Sequence, residues 1–193
     1  MSLDVISDSL FYKPLGAATL TYNPLEKFSR DRITPTENDM HFRKKLVHGT
    51  VHDPGAAMLG GVAGHAGLFS NANDLAKMFQ MYLNGGEYGG ERYIEKHILD
   101  EFTKVQFPEE DNRRGAGFDK PTGESSGPTC QHVGMSSFGH SGFTGTIVWA
   151  DPEKELLYIF LSNRVYPDAE NKKLIRMNIR TDIQKAIYEA MDN

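Results

Sequence analysis

Phe138-Gly139-His140-Ser141-Gly142-Phe143-Thr144-Gly145-Thr146-Ile147-Val148-Trp149 sets polar side chains between glycines and then runs into apolar β-branched residues. Glycines on both sides of His140-Ser141 let a backbone or a ligand come close, where a larger side chain would block it. Thr146-Ile147-Val148-Trp149 has strand composition, and Asp151-Pro152-Glu153-Lys154 reads as a turn. Residues 156–161 then read as the returning strand, their apolar run implying burial on both faces. His140-Ser141-Gly142 is therefore expected at the start of a central antiparallel hairpin, a rigid place from which to present a site.

Downstream, Ile175, Ile179, Ile183, Ala186, Ile187 and Ala190 mark an amphipathic C-terminal helix laid against that hairpin. A hairpin covered by a terminal helix predicts an α+β layer architecture. Upstream, Asn71 or Ser70 caps a helix whose apolar stripe is Leu75, Met78, Phe79, Tyr82 and Leu83, stopped by Gly85-Gly86. A second helix is expected over residues 94–105 with Ile94, Ile98, Phe102 and Val105 inward, the two forming a helical subdomain. Residues 5–12 read as the end of a helix stopped by Pro14 and Gly16, and residues 17–50 show no sustained period. One domain over 1–193 is expected, with 17–110 mostly loop and helical subdomain and 113–193 sheet and C-terminal helix.

Composition narrows the function. A chain of 193 residues with 39% hydrophobic content can bury one sizeable core. Its net charge of −5, with no basic block, argues against a nucleic-acid partner. No run approaches the ~18 apolar residues that span a bilayer, and Met1-Ser2-Leu3-Asp4 shows neither the basic start nor the apolar core of a secretory leader. Cys130 is the one cysteine, which excludes an intrachain disulfide and reads as an incidental thiol in a loop.

Three stretches invite stronger readings. His48 and His52 stand four apart, but Gly49 and Pro54 deny them a helix, so with Asp53 they make only a weak zinc set. The glycines of residues 60–67 lack the Lys-Ser/Thr pair of a phosphate loop, so close backbone packing explains them better, with His65 a hydrogen-bonded histidine. Gly123-Glu124-Ser125-Ser126-Gly127 formally matches a nucleophile elbow, yet Pro121 and Pro128 flank it where a strand and a helix are needed.

Taken together, His140-Ser141-Gly142, Lys13-Pro14-Leu15-Gly16, Val51-His52-Asp53, residues 61–70, Gly117-Phe118-Asp119 and Asn163-Arg164-Val165 carry a resemblance over most of the chain. In that order and spacing they resemble the serine β-lactamase and penicillin-binding-protein family, in the branch with class C-like enzymes, esterases and peptidoglycan amidases. The resemblance implies part of a β-lactamase/transpeptidase-like fold, with an antiparallel sheet, a covering C-terminal helix and a helical subdomain. It implies that His140-Ser141-Gly142 takes the place of the family's Lys-Thr-Gly strand triplet. His140 would hold anionic or carbonyl groups of a substrate as a neutral donor, Ser141 would offer its hydroxyl, and Gly142 would allow close approach. The backbone N–H of Phe143 would supply half of an oxyanion hole. Thr144, His52, Asp53 and His65 come along as substrate-binding positions, and no cofactor or metal is implied.

The family's chemistry also needs a Ser-x-x-Lys nucleophile. No serine of this sequence has a lysine three residues later. Tyr82-Leu83-Asn84 matches the family's Tyr-x-Asn pattern literally, but it falls on the core stripe of a helix, after the Lys-Pro-Leu-Gly element rather than before it. The expectation is therefore a C-terminal portion of a serine hydrolase, inactive alone, whose parent acts on β-lactams, D-Ala peptides, muropeptide amides or esters. The alternative is a non-catalytic module of the same fold that binds peptidoglycan or a partner. A small-molecule or peptidoglycan-derived substrate is expected, a peptidoglycan one being compatible with a periplasmic or extracytoplasmic parent; compartment and oligomeric state stay open.

Overall fold

The computed structural model describes residues 1–124 and 127–191, so Ser125 and Ser126 of the elbow-like string lie outside the described residues. The chain opens with helix α1 (Leu3–Ser7), a wider helical turn at Asp8–Tyr12, and short 3-10 turns at Pro24–Glu26 and Arg30–Arg32. Strands β1 (Pro35–Asp39) and β2 (Lys45–His48) follow, then helices α2 (Pro54–Met58) and α3 (Ala72–Leu83). Next come the two-residue strands β3 (Glu87–Tyr88) and β4 (Glu91–Arg92) and helix α4 (Lys96–Thr103). Strands β5 (Phe138–Ser141), β6 (Ile147–Asp151) and β7 (Leu156–Phe160) precede helices α5 (Lys173–Arg176) and α6 (Ile179–Met191). Two compact units result, Met1–Met78 with Ser162–Lys172, and Phe79–Leu161 with Lys173–Asn193, the division falling inside α3.

In the first unit, β1 and β2 form an antiparallel hairpin that the absence of a hydrophobic period in residues 17–50 gave no reason to expect. Pro-Thr-Glu-Asn-Asp is poor strand material. Charge holds it instead: Arg43, in the connection, donates through Nε to Asp39 at 2.8 Å and pairs through Nη2 with Glu37. The same guanidinium donates to the carbonyls of Val51 at 2.6 Å and His52 at 2.7 Å, tying the hairpin to the next loop. Val51, Ala56 and Ala63 make a small buried cluster beneath α2. The glycine-rich stretch packs backbone on backbone, as its composition suggested: Gly67 sits at φ +114, and a Cβ there would run into the Gly61 carbonyl. Asn71 caps α3 by accepting the Asp74 N–H at 2.9 Å. Asp74 itself is buried and accepts from the Thr19 backbone at 2.8 Å and its hydroxyl at 2.6 Å.

In the second unit, β5, β6 and β7 form a three-stranded antiparallel sheet in that order. His140-Ser141 thus lies on a strand of its own that pairs with the expected hairpin, His140 opposite Val148 and Ser141 opposite Ile147. Cross-strand partners share a face, so Ile147, Trp149, Tyr158 and Phe160 line one side, where Ile187 of α6 packs on them. Phe138 and His140 occupy the other. Phe138 meets Phe118 edge-to-face at 5.2 Å, and Phe118 meets Tyr82 at 5.6 Å.

Four sequence expectations about burial shift. β7 ends the sheet and is only half-buried apart from Tyr158, because an apolar run alone does not separate a central strand from an edge one. On α4, Leu99 is the buried residue while Ile98 and Phe102 are exposed; on α3 the fully buried residue is Met81, just off the apolar stripe. On α6, Gln184 and Tyr188 are buried and Ile183 is exposed. Polar bonds explain the last case: Gln184 Oε1 accepts the Cys130 N–H at 2.9 Å, and the Tyr188 hydroxyl donates to Asp151 at 2.6 Å. Asp151 is fully buried and also accepts from Gly134 N–H at 2.9 Å and Glu153 N–H at 3.0 Å. Burial and the Asp151 carboxylate push the Tyr188 phenol far above its usual value, and burial pushes Tyr158 up to about 12. A raised phenol value means stability present below about pH 10 that drains away as pH climbs further. Tyr188→Phe is expected to cost about 1.5–3 kcal/mol, the range for a hydrogen bond to a charged group, and to flatten the alkaline limb of a urea-midpoint profile. An unchanged midpoint at neutral pH would refute this role.

Candidate functional site

Strand β5 brings the first group of expected site residues together. Gly139 exchanges both backbone hydrogen bonds with Asp119, 2.7 and 3.1 Å, on the edge of β5 away from β6. Backbone groups alternate along an antiparallel strand, so Ser141 directs its N–H and C=O to that same outer edge. The chain then turns through residues 142–145, closed by Gly142 N–H to Thr146 C=O at 2.9 Å and Gly145 N–H to Gly142 C=O at 2.9 Å. Gly142 is fixed by packing: a Cβ there would collide with the Thr146 hydroxyl. Phe143 is 64% exposed at the tip, a large apolar ring presented to solvent, with Thr144 half-buried beside it.

His140 is exposed, yet both ring nitrogens are engaged within the chain. Nδ1 lies 2.8 Å from the Ser141 carbonyl, and Nε2 lies 2.9 Å from Arg114 Nη1. A guanidinium only donates, so Nε2 is the acceptor and Nδ1 carries the proton that goes to Ser141. In this arrangement the ring N–H points back into its own strand. The charged group left at the mouth is Arg114. Its Nε sits 3.5 Å from buried Asp119, which Arg113 also grips at 2.7 and 3.0 Å. Sequence reading missed Arg114; the Arg113-Arg114 doublet ahead of Gly117-Phe118-Asp119 was the available signal.

The remaining expected positions lie in the first unit. His52 Nδ1 stands 3.0 Å from Glu37, and Asp53 caps α2 by accepting the Ala56 N–H at 2.7 Å. His65 Nε2 reaches the same Asp53 oxygen at 3.0 Å. The Ala56 N–H, then His65, hold the Asp53 carboxyl below its usual value. These contacts give all three residues local structural partners. His48 Nε2 instead meets the Ile33 carbonyl at 2.5 Å, so the histidines of the zinc reading turn to different neighbours. Among the described residues no three His, Cys, Asp or Glu side chains stand close enough to hold a metal ion. Nor is any described helix long and apolar enough to cross a membrane.

Residues 1–179 match the family model described as Beta-lactamase. The chain belongs to the Beta-lactamase family. A protein of Salmonella typhi carrying the name D-alanyl-D-alanine carboxypeptidase is 34% identical over 187 residues, which cover 90% of this chain and 43% of that protein. This Beta-lactamase family chain therefore spans less than half the length of the curated relatives it matches. A β-lactamase from Mycobacterium bovis superposes with a TM-score of 0.62 at 18% identity, over 98% of this chain and 57% of that one. A penicillin-binding-protein homologue from Caulobacter crescentus gives a TM-score of 0.53 at 18% identity, over 84% and 47%. At such identities the likeness is one of fold, and it agrees with the α+β architecture of antiparallel strands and helices expected for this family.

Proposed function

We propose that this chain supplies the substrate-holding wall of a serine hydrolase that cleaves amide or ester bonds, with D-alanine-terminated peptidoglycan peptides as the favoured substrate. The observation that carries the reading is the Arg114 guanidinium seated on His140 Nε2 at the end of β5. A fixed cation beside the outward-facing Ser141 N–H is what a peptide ending in a carboxylate requires: a backbone donor for the chain, a charge for the terminus. The Salmonella relative's name supports the D-alanine terminus.

Each residue then has a task in acyl transfer. Arg114 takes the substrate carboxylate, and His140 holds Arg114 in place while bracing Ser141. Ser141 offers its outer-edge N–H to the peptide, its side chain lying on the Ile147 face of the sheet. The Phe143 N–H meets the oxygen that becomes negative when a serine attacks the carbonyl, a stabilisation typically worth about 3–4 kcal/mol per donor. The attacking serine and its lysine come from sequence outside these 193 residues, since no Ser-x-x-Lys occurs within them. That same lack favours the second reading, a peptide-binding module without turnover.

The two readings part on one assay, D-alanine release from a diacetylated L-Lys-D-Ala-D-Ala peptide. The 193-residue chain is expected to release none. Extended through its upstream coding sequence it is expected to turn over, and Arg114→Ala there should raise KM about tenfold or more while sparing esters that lack a carboxylate. Turnover by the 193 residues alone, abolished by one Ser→Ala change, would overturn the proposal. An upstream sequence without Ser-x-x-Lys would leave the binding module standing.

A further inference from the structure

The second unit contains a cleft of about 700 Å³ between the end of α3, helix α4 and the start of β5. Leu83, Leu99 and Phe138 give it apolar walls, and Tyr82 and Asn84, the residues of the misplaced Tyr-x-Asn match, line it too. His140, Ser141 and Gly142 do not.

Lys120 also lines this cleft, and only 6% of it is exposed. Its Nζ donates to the Ser136 carbonyl at 2.8 Å and lies 6.0 Å from the centroid of the Phe138 ring. An ammonium has three protons to donate, and no other hydrogen bond or ion pair of this one is present among the described residues. The other cations around the cleft are satisfied: Arg92 pairs with Glu87, Lys96 with Asp100 and Lys104 with Glu101. The Glu153 charge acts on Lys120 through space and partly offsets its burial, but among the described residues no carboxylate forms a direct ion pair with it. Glu153 accepts from Ser136 N–H at 3.1 Å and its hydroxyl at 2.8 Å, and Asp119 is held by Arg113. A buried cation without a direct ion pair is stabilised when an anion meets it.

We propose that this cleft binds a small monocarboxylate with an apolar body, the carboxylate on Lys120 Nζ and the body against Leu83, Leu99 and Phe138. A strongly hydrated dianion such as phosphate gains nothing from these apolar walls, and Glu87 and Asp100 of the lining are already paired with Arg92 and Lys96. Burial lowers the lysine to about 8, so it is charged at neutral pH and loses its charge in mild alkali. The site stands apart from the hydrolase reading and would survive its failure.

Benzoate and its neutral counterpart benzamide, titrated calorimetrically into the 193-residue chain, test the proposal. At about pH 6.5 benzoate is expected to bind with a millimolar or lower Kd, at least tenfold tighter than benzamide, as a charge-assisted contact requires. The preference should vanish by about pH 9.5, well above the lysine value. Lys120→Met should lose the benzoate preference and keep benzamide binding; its fold is not at risk, since it exchanges a buried charge for an apolar chain of similar length. Equal affinity for the two ligands in the unaltered chain would overturn the proposal. So would undiminished benzoate binding by Lys120→Met, or inorganic phosphate binding more tightly than benzoate.

Discussion

Arg43→Ala is expected to lower the melting temperature by roughly 6–20 °C, more than any other single polar substitution in the first unit. Removing one partner of a buried ion-pair network costs about 3–5 kcal/mol, and each kcal/mol moves a chain of this size by about 2–4 °C. Here one guanidinium meets two carboxylates and two carbonyls, and its side chain is 14% exposed. Without it Glu37 and Asp39, two residues apart on β1, are left as neighbouring like charges in a hairpin that has little apolar cover of its own. An acid titration adds a second readout. Arg43 holds the Asp39 carboxyl well below its ordinary value of 3.8, with the His41, Phe42 and Arg43 backbone N–H groups adding to it. A lowered folded value gives stability that is present above the unfolded value and is lost as pH falls through the folded one. The unaltered chain should therefore lose stability steeply below about pH 4, and Arg43→Ala should show a shallower slope. A melting temperature within about 2 °C of the unaltered chain would remove Arg43 from this role.

His140→Ala, made in the upstream-extended chain and on the proposed hydrolase reading, is expected to lower kcat/KM about ten- to a thousandfold, the range for losing one polar stabiliser. The structure refines which replacements can rescue it. The side chain at 140 must accept from Arg114 and donate to the Ser141 carbonyl. Glutamine can do both; lysine has no acceptor and would set a second cation against Arg114. His140→Gln should recover part of the loss and His140→Lys little of it, although lysine stands at this position elsewhere in the family. Unchanged kcat/KM for the Ala variant, on substrates with and without a carboxylate, would make His140 a structural residue.

What the sequence disclosed follows from where its signals are local. The β6–β7 hairpin announced itself through Ile147-Val148-Trp149, a Pro-containing turn and a returning apolar run, and the C-terminal helix through its period. The β1–β2 hairpin did not, because its stabilisation comes from a guanidinium and two carboxylates rather than from alternating apolar side chains. The existence of α3, α4 and α6 was legible but their facing was not, and α2 went unforeseen. Tyr188 and Gln184 turn inward to satisfy buried polar groups, which hydrophobic period cannot foresee. At the candidate site the glycines located the strand end, whereas Arg114 reaches His140 from 26 positions away in sequence. A contact that distant leaves no spacing to read. Lys120 escaped for the same reason: only packing reveals that a lysine in a loop is buried.

The single thiol also has a practical side. Cys130 is buried against Val133 and Tyr188, and that burial raises its thiol value and suppresses the thiolate. A maleimide dye should therefore find almost no reactive target in the unaltered chain. A cysteine introduced at Thr144, beside the exposed Phe143, would then be the dominant labelling site, and a fluorophore there would report occupancy of the β5 edge with little background.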